Sequence, residues 1–182
     1  MKLRMLILLM VFGVFFLQSC KDDDDMDTPE PTLYENLGGE TMVSDPANPG
    51  QMIEQGRLGL RSVVDSTIFV IAADPDLSPF FATLLMEIGN GNTSNLAILS
   101  KNLTDFFCVA TGAKNFSYNG LDMAAAHDPA QNPRMAMKSD DTDFDNFIAA
   151  VVEGAQQNNV PNELIGEVGE LLETLRTDVV QE

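Results

Sequence analysis

Beyond residue 30, apolar side chains return at helical spacing along most of the chain. From Met52 to Ala73 they recur at Leu60, Val63, Val64, Ile68 and Ile71, one stripe of a helix that Asp74-Pro75 stops. A short turn carries Leu77, Phe80 and Phe81. After the loop Gly89-Asn90-Gly91-Asn92, Thr93 or Ser94 is expected to cap a helix bearing Leu96, Leu99, Leu103, Phe106, Phe107 and Ala110, which breaks at Gly112. Asn119-Gly120 marks a further turn, followed by a brief helical piece that ends around His127. Asp128 to Pro133 holds two prolines and is read as irregular. Thr142 is expected to cap a helix with Phe144, Phe147, Ile148, Val151 and Val152. Pro161 opens a last helix, which Leu164, Ile165, Val168, Leu171, Leu172, Leu175 and Val179 line. No segment alternates in the manner of a strand, so the expected class is all-α.

The first residues follow another logic. Lys2 and Arg4 precede an apolar run from Met5 to Leu17, shorter than the roughly twenty residues a membrane span needs. Leu17-Gln18-Ser19-Cys20 then resembles a bacterial lipobox, with Cys20 as the lipidated residue. Lys21-Asp22-Asp23-Asp24-Asp25 is a solvated charge run, and Pro29 and Pro31 extend it. The expected organisation is a lipoprotein signal at 1–19, an acidic, proline-containing tether at 20–32 and one domain at 33–182. Localisation would be the cell envelope, through a lipid anchor at Cys20.

The net charge of −18 excludes a nucleic-acid partner, whose phosphates need clustered Lys and Arg. The same charge disfavours adhesion to anionic lipid, which leaves the acyl chains as the membrane contact. Cys20 and Cys108 are the only cysteines. With Cys20 lipidated, Cys108 has no disulfide partner and is read as a small buried packing residue.

Taken in order, several segments resemble one family. Leu33-Tyr34-Glu35-Asn36-Leu37-Gly38-Gly39-Glu40 looks like the opening of the group I truncated haemoglobins. Val63-Val64-Asp65 and Ala73 to Phe81 resemble that family's second helix and following turn. Phe106-Phe107, Gly112 and Tyr118-Asn119-Gly120 resemble its FF…GG…YTG region, and Asn158-Asn159-Val160-Pro161 its last interhelical turn. The resemblance spans Leu33 to Val180 and implies a two-over-two helical sandwich around haem b. It also implies a proximal histidine after the YTG turn with an apolar residue four positions earlier. His127 and Met123 stand in those places, and His127 is the chain's only histidine. By the same resemblance Phe81 packs on the haem face, while Phe107, Phe144, Phe147 and Ile148 supply further wall. Haem iron takes a neutral imidazole whose other ring nitrogen donates to a carbonyl, and Met123, Leu121 and Ala124 to Ala126 suit the apolar slot this requires.

Three insertions depart from the compact pattern, at Glu40–Leu58, Leu84–Asn95 and Asp128–Pro133. The last directly follows His127 and is expected to bear on its orientation. On the distal side the matching positions are Ile68, Leu99 and Leu103, which offer bound oxygen no hydrogen-bond donor. Among ten methionines, Met86, Met135 and Met137 are candidates for a sixth iron ligand. Lys101, Lys114, Arg134 and Lys138 are candidate partners of haem carboxylates. The expected function is a haem globin that binds a diatomic gas (oxygen, nitric oxide or carbon monoxide) or senses redox state, with its redox partner unspecified. Nitric oxide dioxygenase or weak peroxidase activity would want polar distal groups that these positions lack. Two other readings stay open: a haem-free globin-fold interaction module, and a haem-capture lipoprotein. Asp140 to Asp145 lacks the turn glycine and closing glutamate of a calcium loop, and helix capping accounts for it better.

Overall fold

The computed structural model describes residues 30–182. The signal at 1–19, Cys20 and nearly all of the 20–32 tether therefore lie outside the described residues.

Thr32 starts the fold. Its hydroxyl accepts from the Glu35 amide while the Glu35 carboxylate takes the Thr32 amide, a reciprocal cap on the one-turn helix α1, Leu33–Asn36. That cap plants the buried Tyr34 ring, whose backbone N–H donates to the Thr111 carbonyl at 2.8 Å.

The Glu40–Leu58 insertion corrects the strand-free reading. It forms an antiparallel hairpin, β1 at Met42–Ser44 and β2 at Met52–Glu54, with Val43 opposite Ile53. Met52 is exposed and Ile53 buried, so the segment expected to begin a helix alternates like a half-buried strand. Asp45 fastens the hairpin loop, accepting from the Ala47 amide, Asn48 Nδ2 and both terminal nitrogens of Arg61. The Arg61 hydrogen bonds, with help from Asn48, hold the Asp45 carboxyl well below the usual range.

Helix α2 then runs Gln55–Ala73 with Leu60, Val64 and Ile71 buried. The Asp74 carboxylate accepts from the Asp76 and Leu77 amides and turns the chain into a 3-10 segment, Ser78–Phe81. Helix α3, Ala82–Gly89, runs into the expected Leu84–Asn95 insertion. Helix α4 spans Ser94–Ala110. Thr93 takes the helix's expected N-cap position, but the Asn92 carboxamide oxygen, not a hydroxyl, accepts from the Ser94 amide. Gly112 ends it at φ 98°, a conformation costly for a residue with a Cβ, which would also sit 2.9 Å from the Thr32 side chain.

Helix α5 is Met123–His127 and helix α6 Asp141–Gln157. Asp140, not Thr142, caps α6, in a reciprocal box with Asp143. The last helix divides into α7, Asn162–Glu173, and α8, Arg176–Val179. At the division the Thr174 hydroxyl donates to the Leu171 carbonyl, and Arg176 turns back to Asp141, Asp145 and Glu173.

Helix α2 packs against both α4 and α6, and α6 packs against α7, giving two helix pairs face to face. Gly154 permits the α2–α6 approach: a Cβ there would lie 2.9 Å from the Thr67 amide nitrogen. Asn158 Nδ2 pins the same crossing by donating to Ser62 O, Ser66 Oγ and Gly154 O. Tyr34, Leu60, Val64, Phe107, Cys108, Val151 and Leu172 form the main core. Burial of each large apolar side chain contributes about 1.5–3 kcal/mol.

Candidate functional site

The single histidine sits at the end of α5. Asp122 caps that helix through the Ala125 amide, so the chain completes one turn from Met123 to His127 and brings the ring over its own first residue. His127 Nδ1 is 2.8 Å from the Met123 carbonyl oxygen. A carbonyl only accepts, so Nδ1 carries the proton and the lone pair is left on Nε2. Nε2 makes no hydrogen bond among the described residues. Burial lowers the His127 pKa below its ordinary value, against the opposing effect of the Met123 carbonyl. The side chain is therefore a neutral imidazole at neutral pH, fixed in the tautomer that presents Nε2 as a ligand.

His127 borders a cavity of about 290 Å³. That is near the lower end of small-molecule pockets, roughly 300–1,000 Å³. Helix α2 contributes Ile68, Phe69, Ile71 and Ala72, and the 3-10 segment with α3 contributes Phe80, Phe81, Leu84, Leu85 and Ile88. Leu96, Leu99, Leu103, Phe106 and Phe107 come from α4, Met123 from α5, and Phe144 and Phe147 from α6. Leu172 of α7, Leu175 and Val179 of α8 also line it. The other polar side chains on the wall are already engaged: Ser139 Oγ donates to Val179 O, and the Asp143 carboxylate accepts from the Asp140 amide. His127 Nε2 is a wall atom without a hydrogen-bond partner among the described residues.

Of the ten residues expected at the site, His127, Phe81, Met123, Phe107, Leu99, Leu103, Ile68, Phe144 and Phe147 border this cavity. Ile148 does not. One position on from Phe147, it points instead into a second, smaller cavity of about 50 Å³ between α2, α6 and α7. The two spaces share Ile68, Ile71, Leu103, Phe107, Phe147 and Leu172 as a common partition. The α3 residues Leu84, Leu85 and Ile88 were missed as wall. Their apolar spacing was visible, but they fell in a stretch read as insertion.

Among the methionines, Met135 borders the cavity, while Met86 is 63% exposed and Met137 is also exposed. Three of the four candidate cations are engaged: Lys101 with Asp105 at 2.6 Å, Lys114 with Glu35 at 3.7 Å, and Arg134 with Glu87 at 2.5 Å. Lys138 is exposed beside the wall residue Ser139, and its charge helps lower the Asp128 pKa.

Behind α4 lies a polar cluster with no access to the cavity. Arg57 Nη2 donates to Asp105 at 2.7 Å, Nη1 lies 3.6 Å from Cys108 Sγ, and the guanidinium stacks 4.5 Å from the Phe116 ring centre. Burial pushes the Asp105 carboxyl up, but the Lys101 and Arg57 hydrogen bonds outweigh it and hold the pKa below the usual range. Cys108 is wholly buried, and burial pushes its thiol up to about 11.

No protein-family model matches the sequence, and no curated protein matches it either. Solved structures do match. A truncated haemoglobin of Tetrahymena pyriformis in its Fe(III) form superposes with a TM-score of 0.59 at 22% identity, covering 84% of this chain and 100% of that one. The 2/2 haemoglobin of Synechococcus sp. PCC 7002, in the cyanomet state with covalently attached haem, gives 0.58 at 24% over the same shares. A variant of the group II truncated haemoglobin of Bacillus anthracis gives 0.57 at 16%, covering 85% of this chain and 94% of that one. The eight α-helices of the described residues, superposing on those proteins over nearly their whole length, have the fold of the truncated, two-over-two globins.

Proposed function

We propose that this chain is a haem-binding truncated globin of group I type, with His127 as the iron's axial ligand and a diatomic gas as its ligand. The observation that carries the reading is the place of the His127 imidazole: Nδ1 lies 2.8 Å from the Met123 carbonyl, Nε2 has no partner among the described residues, and the ring borders a largely apolar cavity. The donor chemistry fits haem iron, which takes a neutral imidazole steadied by a second hydrogen bond. The wall fits a flat apolar ring, with Phe81, Phe107, Phe144 and Phe147 supplying aromatic faces. Lys138 is the cation we assign to a haem carboxylate.

When bound, the haem iron supplies reversible coordination of a small gas molecule. The protein's own residues decide which gas is retained. Ile68, Leu99 and Leu103, from α2 and α4, are hydrocarbon and donate no hydrogen bond to a bound ligand. Bound oxygen carries partial negative charge and is retained by such donors, whereas carbon monoxide and nitric oxide depend on them less. The same three positions give proton-assisted oxygen or peroxide chemistry no local acid. The setting we propose is the cell envelope, on a lipid anchor at Cys20.

The test is reconstitution of the chain from Asp27 onward with haemin, beside His127→Ala. A sharp Soret band in the parent that weakens or shifts in the variant supports the proposal. A parent spectrum indistinguishable from free haemin would remove it and leave a haem-free helical interaction domain.

A further inference from the structure

The helix carrying His127 is too short to orient itself. One turn of helix is unstable alone, so its direction must come from what holds it. Three of its carbonyls are taken by side chains. Met123 O receives His127 Nδ1, Ala124 O receives Gln181 Nε2 at 2.8 Å, and Ala126 O receives Asn132 Nδ2 at 2.7 Å. Neither of the last two donors dangles. The Gln181 amide donates to Ser139 O at 3.0 Å, and Ser139 Oγ in turn holds Val179 O at 2.7 Å, so the segment after α8 is stitched to the strand-like residue before α6. Asn132 belongs to the insertion that follows His127, and its amide donates to Asp128 O at 2.7 Å. The Asp128 carboxylate holds the Ala130 amide and Gln131 Nε2.

We propose that Asn132 and Gln181 are positioning residues for His127: two carboxamides that clamp the ligand helix by its carbonyls, one from the insertion and one from the segment after α8. The assignment of what they position rests on the haem reading; the clamp itself does not. The insertion expected to disturb the proximal histidine thus acts as its brace. Two points of attachment on opposite sides of a one-turn helix fix both its tilt and its rotation, and so the direction in which Nε2 points.

The test uses isosteres that keep shape and remove the donor: Asn132→Asp, Gln181→Glu and the pair together, in the chain from Asp27 onward. Circular dichroism and thermal melting report the fold. Amide exchange at Ala125, Ala126, His127 and Asp128 reports the clamp. After haemin loading and reduction, the iron–imidazole stretching band reports the direction of the ligand. With the fold retained, the pair is expected to speed α5 exchange about tenfold, from two lost hydrogen bonds, with smaller effects in each single variant. The stretching band is expected to shift or broaden. Asn132→Gln, which keeps the donor on a longer arm, should recover part of the protection. Unchanged α5 exchange in the pair overturns the clamp. Faster exchange with an unchanged band overturns the positioning role. A parent that shows no imidazole band sinks the haem reading and the positioning role with it, and the exchange arm still judges the clamp.

Discussion

Replacing Gly154 by alanine tests the helix crossing on which the cavity depends. Gly154 of α6 faces Thr67 of α2, and an added Cβ would meet Thr67 Oγ1, its amide nitrogen at 2.9 Å and its Cα at 3.1 Å. Two of those three atoms are backbone, so no rotamer change relieves the clash. Overpacking of this kind costs about 1–3 kcal/mol, and backbone contact places it near the top of that range. Alanine recovers about 1 kcal/mol of helix propensity over glycine. The net expectation is a loss of about 2 kcal/mol, or roughly 4–8 °C in melting temperature for a domain of this size. Thermal and urea unfolding of Gly154→Ala measure it directly. Thr67 Oγ1 is buried and makes no hydrogen bond among the described residues, so Thr67→Ala removes one of the three clashing atoms without breaking a bond seen there. In that background Gly154→Ala should cost less, by about 1 kcal/mol in a double-mutant cycle. Since α2 and α6 also carry Ile68, Ile71, Phe144 and Phe147, the single variant should also bind haemin more weakly. A Gly154→Ala protein as stable as its parent, within about 1 °C, would refute the crossing geometry.

Arg57→Met leaves the Asp105 carboxylate, 10% exposed, with only Lys101 as a partner and removes the stack on Phe116. The expected loss is about 2 kcal/mol at pH 7, discounted from the larger cost of stripping a fully buried pair because Lys101 remains. It should shrink below pH 4 as Asp105 protonates, which urea titrations at the two pH values would show. His127 has a folded pKa below its unfolded value, so the unfolded chain binds the extra proton. Stability should fall as pH drops from about 6.5 towards 5, before carboxylates titrate, and His127→Leu should flatten that window. Identical pH profiles for the two proteins would contradict the burial of the ring. Ile68→Tyr adds a donor to the wall and should slow oxygen release from the haemin-loaded, reduced protein by at least about tenfold while changing carbon monoxide release little. Stopped-flow displacement measures both rates, and equal effects on the two gases would argue against the apolar-wall reading.

How far this could be read from residues alone depended on whether a signal was local. The stripe Leu60, Val64, Ile71 announced α2, and the spacing Phe144, Phe147, Val151 announced α6, because burial on one face leaves a period in the sequence. The β1–β2 hairpin left almost none. Its strands are three residues each, and the loop between them is fastened by Asp45 meeting Arg61 of α2. The α6 cap lies two residues from its expected place, at Asp140 instead of Thr142, and at α4 Thr93 holds the expected cap position while the Asn92 carboxamide makes the bond. Where several neighbouring side chains could serve, only backbone geometry chooses among them. At the site, the position of the solitary His127 beside an apolar space was legible from Met123 and the alanines before it. The clamp by Asn132 and Gln181 was not, since carboxamide-to-carbonyl contacts between distant segments leave no spacing rule. Ile148 shows the limit of periodicity: it tells which residues face inward, but not which of two adjoining spaces they face.

Cys108 offers a different use of the fold. Its sulfur is wholly shielded among core helices, and its thiol, raised to about 11, is scarcely ionised at neutral pH. A thiol reagent can reach it only while α4 is parted from α2, so the labelling rate counts openings of the molecule. At low reagent concentration that rate reports the free energy of opening, and at saturating reagent the rate constant of opening itself. One sulfur atom, fixed in place by packing, is thus a built-in clock for the whole helical sandwich.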